Sequence, residues 1–188
     1  MGRNNNKYIL ESNPSMIDFA GALLFIFPAY VANAVPVIFT GGGPLDRGAK
    51  FLDNKPLFGE TKTVFGTLSG ITFGALVAMA YPFLGIALFD RPQTYAMVGL
   101  GLAVGAMLGD LLGSFAKRRL GFSEGSSVPF LDQLTFFYVA LILAVLAAPE
   151  SVAYLSMENM LFLTVLTFFM HLATNKLANV ISLKKVPW

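Results

Sequence analysis

The segment from Gly109 to Arg119 places charged side chains at the end of a long apolar run. Four polar residues in it follow the i, i+4, i+7, i+8 spacing of one helix face: Asp110, Ser114, Lys117 and Arg118. A carboxylate is expensive to place at membrane depth, so Asp110 should face a protein interior or a wet cavity. An acid, a hydroxyl and two cations on one face are suited to binding a metal ion and a phosphate.

A second carboxylate, Asp132, begins the next apolar segment at a similar predicted depth. Two carboxylates from different helices can bind Mg²⁺, which prefers oxygen ligands and commonly bridges to substrate phosphates. The alternative to metal binding is a structural role for each carboxylate. Asp110 could form an ion pair with Lys117 or Arg118, and Asp132 could be an acid favoured by the dipole at a helix start. The residue types leave both interpretations open.

The other dense polar patch runs from Lys55 to Thr63. A lysine and a hydroxyl at the start of an apolar helix, here Lys62 and Thr63, suit a phosphate, and we expect free backbone N–H groups at that helix start to bind it as well. The patch is not a P-loop, because Thr61 replaces the required glycine and no strand precedes it. The alternative is that these cations only anchor the membrane topology.

These residues need elements that hold them together, and the composition indicates membrane helices. The 188 residues are 55% hydrophobic and 13% charged, whereas soluble domains carry about 25% charged residues. We therefore predict one all-α integral membrane domain over residues 1–188. Since a span needs about 20 apolar residues, we predict five transmembrane helices, near 17–39, 66–89, 94–116, 132–149 and 157–180.

The distribution of cations predicts the orientation. The connections 40–65 and 117–131 hold most of the lysines and arginines, and the opposite side has only Arg3, Lys7 and Arg91. The positive-inside rule then puts the N-terminus outside and the C-terminus in the cytoplasm of a multi-pass protein of the cell membrane.

With this topology, polar residues of all five helices lie toward the cytoplasmic face. We predict that they form one cytoplasm-facing polar cavity, lined by Asn33, Lys62, Thr63, Asp110, Ser114, Lys117, Arg118, Asp132, Gln133, His171, Asn175, Lys176 and Asn179. For His171, a satisfied hydrogen bond inside the membrane is the alternative to a metal-ligand role.

Two rows of glycines at intervals of four residues predict close helix packing. Small residues at this spacing let membrane helices approach each other. One row lies in the second predicted span and one in the third; the glycines are Gly66, Gly70 and Gly74, and Gly101, Gly105, Gly109 and Gly113.

The available side chains narrow the reaction class. The chain has no cysteine, and its single histidine, His171, has no obvious triad setting. Lysines, arginine and a metal site without a covalent nucleophile favour phosphoryl or nucleotidyl transfer, which depends on positioning and charge neutralisation. The main rival is a transporter or channel for an anionic phosphorylated solute in the same cavity. A third candidate is a non-catalytic assembly subunit built on the glycine rows.

The segment Gly109–Arg119, followed by Pro129–Gln133, resembles the signature of the CTP-dependent phospholipid cytidylyltransferases, which reads roughly G-D-L-x-x-S-x-x-K-R and then Pro with D-R-x-D. Asn33–Pro36 and Lys55–Thr63 are similar to the archaeal branch, the CDP-archaeol synthases. The resemblance covers the chain from about Asn33 to Asp132. It implies Mg²⁺-dependent transfer of CMP from CTP to a lipid phosphate in phospholipid biosynthesis, with release of pyrophosphate.

The resemblance also implies partners and roles. The acceptor would be unsaturated archaetidic acid, a glycerol phosphate with two geranylgeranyl ether chains, held among membrane lipids; we expect no nucleic acid partner, and a homo-oligomer is compatible with the glycine rows. Thr135 stands where the wider family has a second acid, which leaves the number of metal ions open.

Each candidate site residue receives a role on this basis. The catalytic set is Asp110 and Asp132, which would bind Mg²⁺, with Lys117. The set that would contact nucleotide or phosphate is Lys55, Lys62, Thr63, Ser114, Arg118, Asn33 and Gln133. Within it, Lys62 and Thr63 would contact the triphosphate and Ser114 would orient a metal ligand. Asn33 and Gln133 would contact the base or the lipid headgroup.

Overall fold

A computed structural model describes residues 18–126, 128 and 130–182, and this part of the chain contains five α-helices. They are α1 (Phe19–Ala34), α2 (Val64–Ala80), α3 (Pro92–Arg119), α4 (Leu131–Ala147) and α5 (Met157–Val180). Short 3-10 turns follow three of them, at Val35–Val37, Tyr81–Leu84 and Pro149–Tyr154. Arg3, Lys7 and Pro129, which entered the sequence predictions, lie outside the described residues.

Four of the helical segments are long and apolar enough to cross a membrane: Phe19–Val37, Val64–Leu84, Pro92–Arg119 and Met157–Val180. The chain is therefore an all-helical multi-pass membrane protein, as predicted. α4 is apolar but has 17 residues, or about 25 Å at 1.5 Å per residue, against a hydrocarbon core of about 30 Å. A fifth crossing by α4 and the orientation of the bundle stay predictions.

Local sequence signals explain where the helices begin and end. Asp18, Thr63 and Ser156 each accept a hydrogen bond from a backbone N–H of the first turn of α1, α2 and α5, which satisfies donors that a helix start leaves unpaired. For the second predicted span, 66–89, the predicted end at residue 89 was wrong. The chain leaves helical geometry after Leu84 because Gly85 adopts a left-handed φ of 72°.

α3 lies at the centre of the bundle, where it contacts α1, α2 and α4. Glycines make these contacts close: a Cβ on Gly105 would lie 2.5 Å from Cα of Ala140, and one on Gly109 would lie 2.5 Å from Cα of Phe136. On α2, a Cβ on Gly70 would lie 2.6 Å from the carbonyl oxygen of Ala32 in α1. The predicted packing role of the glycine rows is confirmed.

α5 is attached less tightly than the other helices. Its buried residues are Asn159, Leu163 and Thr167, all in the N-terminal half of the helix. The Thr167 hydroxyl shares a 2.6 Å hydrogen bond with the Tyr30 hydroxyl of α1. Beyond that bond, no residue in the remainder of α5 is buried.

The connection between α1 and α2 folds back on the start of α2. Backbone N–H groups of Gly48, Phe58 and Gly59 donate to the Asp46 carboxylate at 3.0, 2.9 and 3.2 Å. Partial burial raises the pKa of Asp46, but these hydrogen bonds outweigh it and hold the pKa below its ordinary value. The N–H of Leu45 donates to the Lys62 carbonyl at 2.6 Å. This loop therefore fixes the backbone that carries Lys62.

Arg119 ties the same loop to the end of α3. Its guanidinium lies 2.8 Å from the Asp53 carboxylate and donates to the Pro56 carbonyl at 2.6 Å. It also lies over the rings of Phe51 and Phe115, with centroids at 5.2 and 4.6 Å. These contacts bring the loop beside the polar face of α3.

Candidate active site

One polar cavity of about 570 Å³ collects side chains from all five helices and from the two long connections. The predicted residues that line it are Asn33, Lys62, Thr63, Asp110, Ser114, Lys117, Arg118, Asp132, His171 and Asn175. Helical spacing brings the four α3 residues to one side of the cavity. The others come from elements distant in sequence, which the packing of α3 against α1, α2 and α4 brings close.

Asp110 forms an ion pair with Lys62. The Lys62 ammonium donates to both carboxylate oxygens, at 2.7 Å to Oδ1 and 2.6 Å to Oδ2. The side chains are 24% and 33% exposed, so water screens the pair only in part. The structural alternative for Asp110 was an ion pair with Lys117 or Arg118. The observed partner is instead Lys62, at the start of α2.

Asp132 forms the second ion pair of the cavity, with the Lys117 ammonium 2.6 Å from Oδ1. Its other oxygen accepts a 2.9 Å hydrogen bond from the N–H of Val128. Lys117 also donates to the Ser126 carbonyl at 3.2 Å. Asp132 therefore supports the turn before α4, and it presents a carboxylate to the cavity as well.

Arg118 and Ser114 complete the α3 face, at 6% and 4% exposure. Nε of Arg118 is buried and has no hydrogen-bond partner within the described part of the chain. A buried donor without an acceptor is unfavourable, so an anionic oxygen entering the cavity beside Arg118 would relieve this. The arrangement is suited to a phosphate.

The charges that line the cavity balance among the described residues. Three cations, Lys62, Lys117 and Arg118, face three carboxylates, Asp110, Asp132 and Glu124. Such a cavity provides little net attraction for a triphosphate. A divalent cation that enters with the nucleotide would supply the missing positive charge.

The donor set fits Mg²⁺ in part. Asp110 and Asp132 offer the oxygen ligands that Mg²⁺ prefers, and each already contacts a positive charge at 2.6 Å. Among residues 18–126, 128 and 130–182, no three His, Cys, Asp or Glu residues are grouped so that they could hold a metal ion. Phosphate oxygens and water would therefore have to complete the coordination, which is usual for Mg²⁺ bound with a nucleotide.

The expectation of free backbone N–H groups at the start of α2 was wrong. The N–H groups of Val64 and Phe65 donate to the carbonyls of Gly43 and Gly41 at 3.1 Å, and that of Gly66 donates to the Thr63 hydroxyl. The glycine-rich turn supplies these carbonyls. A phosphate here would have to be bound by side chains.

Four of the predicted residues do not line the cavity: Lys55, Gln133, and Lys176 and Asn179 of α5. The Lys55 ammonium donates to the carbonyl of Arg119 at 3.1 Å. Gln133 is 1% exposed within the helix bundle, and its Oε1 has no partner among the described residues. Thr135 donates to the Leu131 carbonyl at 2.5 Å and packs against Gly113, so this position faces α3.

The sequence arguments missed Glu124, Thr61 and Phe58 as lining residues. Glu124 accepts hydrogen bonds from the N–H of Glu60 at 3.1 and 3.2 Å, which joins the two long connections beside the cavity. The acidic side chain of Glu124, in the loop between α3 and α4, was the sequence feature that could have indicated its place at the cavity.

The helical bundle belongs to a class of membrane folds that includes enzymes working within the membrane. A solved structure described as an intramembrane enzyme for archaeal membrane lipid biosynthesis is similar, with a TM-score of 0.70 and 32% identity, covering 82% of this chain and 92% of that chain. The CDP-archaeol synthase of Thermococcus gammatolerans is 39% identical over 167 residues, which cover 89% of this chain and 95% of that relative. That of Hyperthermus butylicus is 41% identical over 168 residues, with the same coverage.

Residues 16–188 match the family described as CarS-like, CDP-archaeol synthase. The chain belongs to this family. Membership confirms the enzyme class expected from the sequence, a CTP-dependent cytidylyltransferase of archaeal lipid synthesis.

Proposed function

We propose that this enzyme transfers CMP from CTP to a membrane-held lipid phosphate, with unsaturated archaetidic acid as the acceptor, giving CDP-archaeol and pyrophosphate. One observation carries the proposal: a single cavity joins the carboxylates of Asp110 and Asp132, two lysines and a buried arginine from elements distant in sequence. Together with a divalent cation, this set would neutralise phosphate charge, and it offers no residue arranged as a covalent nucleophile among those described.

The reaction needs little acid–base chemistry from the protein. A phosphate monoester loses its second proton with a pKa of about 6, so the attacking oxygen of the lipid phosphate is largely ionised at neutral pH. That oxygen forms a bond to the α-phosphorus of CTP, and the bond from the α-phosphorus to the bridging β-oxygen breaks. The electron pair leaves on pyrophosphate. Positioning and charge neutralisation therefore dominate catalysis.

Asp110 and Asp132 would hold Mg²⁺, which would supply charge neutralisation on phosphate oxygens when bound. The ammonium groups of Lys62 and Lys117, which contact these carboxylates in the structure, would then contact the phosphates. Arg118 donates from its unpaired Nε to an anionic oxygen. These ion pairs keep each lysine within reach of the phosphates, which reduces reorganisation during the reaction.

CTP and pyrophosphate are water-soluble, so the cavity must open to an aqueous compartment. We assign that compartment to the cytoplasm, as the distribution of lysines and arginines predicts. The acceptor stays in the bilayer, since extracting its chains into water would cost about 0.8 kcal/mol per CH₂ group.

An incorporation assay tests the proposal. Purified protein in lipid nanodiscs receives radiolabelled CTP, Mg²⁺ and the lipid phosphate, and label is measured in the organic phase. We expect incorporation by the unaltered enzyme and at least a hundredfold loss in Asp110→Asn. Asp53→Asn is the matched control, because Asp53 forms a similar ion pair outside the cavity. Absence of labelled lipid with every acceptor tried would refute the proposal.

A further inference from the structure

The connection between α1 and α2 contains a tight turn that exposes apolar side chains. The N–H of Phe51 donates to the carbonyl of Lys55 at 2.9 Å, and Asn54 between them has a left-handed φ of 61°, a conformation that asparagine tolerates in turns. Leu52 lies in this turn and is 95% exposed, and Phe51 is 44% exposed. We name residues 50–56 the loop tip.

The loop tip packs on a surface of α3 that continues into the lipid-facing part of that helix. The rings of Phe51 and Phe115 meet edge to face, with centroids 5.2 Å apart. Helical spacing puts Phe115 on the same face as Leu108 and Leu112, which are 45% and 54% exposed. Because α3 is long and apolar enough to cross a membrane, these exposed leucines face lipid. The loop tip therefore lies beside the bilayer.

The length of α3 places the loop tip at the level of the lipid headgroups. Its 28 residues extend about 42 Å at 1.5 Å per residue, against a hydrocarbon core of about 30 Å. The last turn of α3 is basic and ends at Arg119, and charged side chains at a helix end reach for the interface. The Arg119 guanidinium holds the Asp53 carboxylate of the loop tip at 2.8 Å.

Two cations flank the exposed apolar side chains. Arg47 and Lys50 are exposed, and neither forms an ion pair with another residue in the described part of the chain. The nearby acids are engaged elsewhere, Asp46 with backbone N–H groups and Asp53 with the end of α3. An apolar side chain such as Leu52 beside uncompensated cations is the combination that binds proteins to anionic membrane surfaces.

We propose that Phe51 and Leu52 insert into the headgroup layer of the bilayer on the side of the polar cavity, and that Arg47 and Lys50 bind the phosphate groups of anionic lipids there. Free phosphate offers the same charge but no apolar layer for Leu52, so the partner is the membrane surface. This inference does not depend on the proposed function. Since the same connection carries Lys62, the membrane contact holds both ends of the loop that borders the cavity.

The first test measures the depth of the loop tip. The cysteine-free chain permits a single spin label at Leu52→Cys, where the apolar label takes the place of the leucine. Glu60→Cys is the matched control, because Glu60 is an exposed residue of the same connection and lines neither cavity. In nanodiscs with one protein copy, we expect oxygen to relax the label at position 52 more than a water-soluble nickel chelate does, and the reverse at position 60.

Two outcomes of this measurement would overturn the proposal. One is equal access of the nickel chelate to positions 52 and 60. The other is protection of position 52 that occurs only in discs with two protein copies, because a second copy of the chain would then cover the loop tip.

The second test separates lipid phosphate from free phosphate. Discs of neutral lipid are compared with discs in which about a third of the lipid is anionic. We expect access of the nickel chelate to position 52 to fall at least threefold in the anionic discs at low salt, and the difference to disappear at 1 M salt, where the screening length is about 3 Å. Combined Arg47→Gln and Lys50→Gln changes should abolish the fall, whereas Arg91→Gln, at the other end of α3, should leave it unchanged.

A fall that persists without both cations would contradict their role. A fall produced in neutral discs by soluble glycerol phosphate would assign the cations to free phosphate and overturn the membrane contact.

The third test uses hydrogen exchange and needs no label. Backbone amides of residues 50–56 should exchange more slowly in anionic discs than in neutral discs. Leu52→Asp should remove this protection because a carboxylate does not enter the apolar layer, and Leu52→Met should retain it. Equal exchange in both kinds of disc, or equal protection in the two variants, would refute insertion of Leu52.

Discussion

Removal of the Asp110 charge should affect stability and turnover through different contacts. Lys62 holds both oxygens of Asp110 at 2.6–2.7 Å, with the side chains 24% and 33% exposed. Exposed ion pairs contribute about 0.2–1 kcal/mol, and breaking a buried pair costs about 3–5 kcal/mol. This half-buried pair should therefore show a coupling free energy of about 1–3 kcal/mol.

A double-mutant cycle measures that coupling. Asp110→Asn and Lys62→Met are made singly and together, and thermal unfolding is followed by circular dichroism in detergent. Since about 1 kcal/mol shifts Tm by roughly 2–4 °C in a chain of this size, each single change should lower Tm by about 2–12 °C. The double variant should recover part of the loss, because neither charge is then left unpaired.

Turnover should not recover in the double variant, because the proposed mechanism gives Asp110 and Lys62 each a further role with the substrate. Asp53→Asn is the control: Asp53 pairs with Arg119 at 2.8 Å and its side chain is 34% exposed, yet it lies outside the cavity. It should lose a similar amount of Tm and keep turnover within a few-fold. A coupling free energy near zero, or turnover restored by removing both charges, would refute this reasoning.

Three further predictions concern packing, the α1–α2 connection and orientation. Gly109→Ala should lower stability by about 1–3 kcal/mol, because the added Cβ would lie 2.5 Å from Cα of Phe136; thermal unfolding measures this, and an unchanged Tm would contradict the tight α3–α4 contact. Because the Asp46 pKa is lowered on folding, its stabilisation is fully present above its unfolded pKa of about 3.9 and is lost as pH falls through the lower folded value. Limited proteolysis should therefore find the connection protected from pH 8 to about pH 4, and cleaved throughout that range in Asp46→Asn; equal protection of both would count against the carboxylate's role. The cysteine-free chain permits single-cysteine labelling in whole cells: an impermeant maleimide should react with Gln93→Cys directly and with Ala49→Cys only after permeabilisation, and the reverse pattern would invert the predicted orientation.

Periodicity made the α3 face predictable. Asp110, Ser114, Lys117 and Arg118 line one cavity because helical spacing alone determines which residues share a face. The partner of Asp110 was not predictable in this way. Lys62 is 48 residues away, and its position depends on how the α1–α2 connection folds around the Asp46 carboxylate.

Loop geometry also accounts for the other differences between the predicted site and the observed site. Lys55 occurs in the same polar patch as Lys62, but the backbone turns between them and directs Lys55 to the carbonyl of Arg119. The N–H groups at the start of α2 find carbonyls in the turn at Gly41–Gly43. Such pairings arise from tertiary contacts, and no local pattern of residue types specifies them.

The position of the transferred phosphorus tests the central claim most directly. CTP labelled at the α-phosphate and CTP labelled at the γ-phosphate are supplied in parallel to purified enzyme with lipid phosphate and Mg²⁺. The proposed mechanism predicts that α-label enters the lipid and that γ-label is released as pyrophosphate in equal amount, with both lost in Asp110→Asn. Appearance of γ-label in the lipid, or movement of intact nucleotide without any labelled lipid, would contradict it.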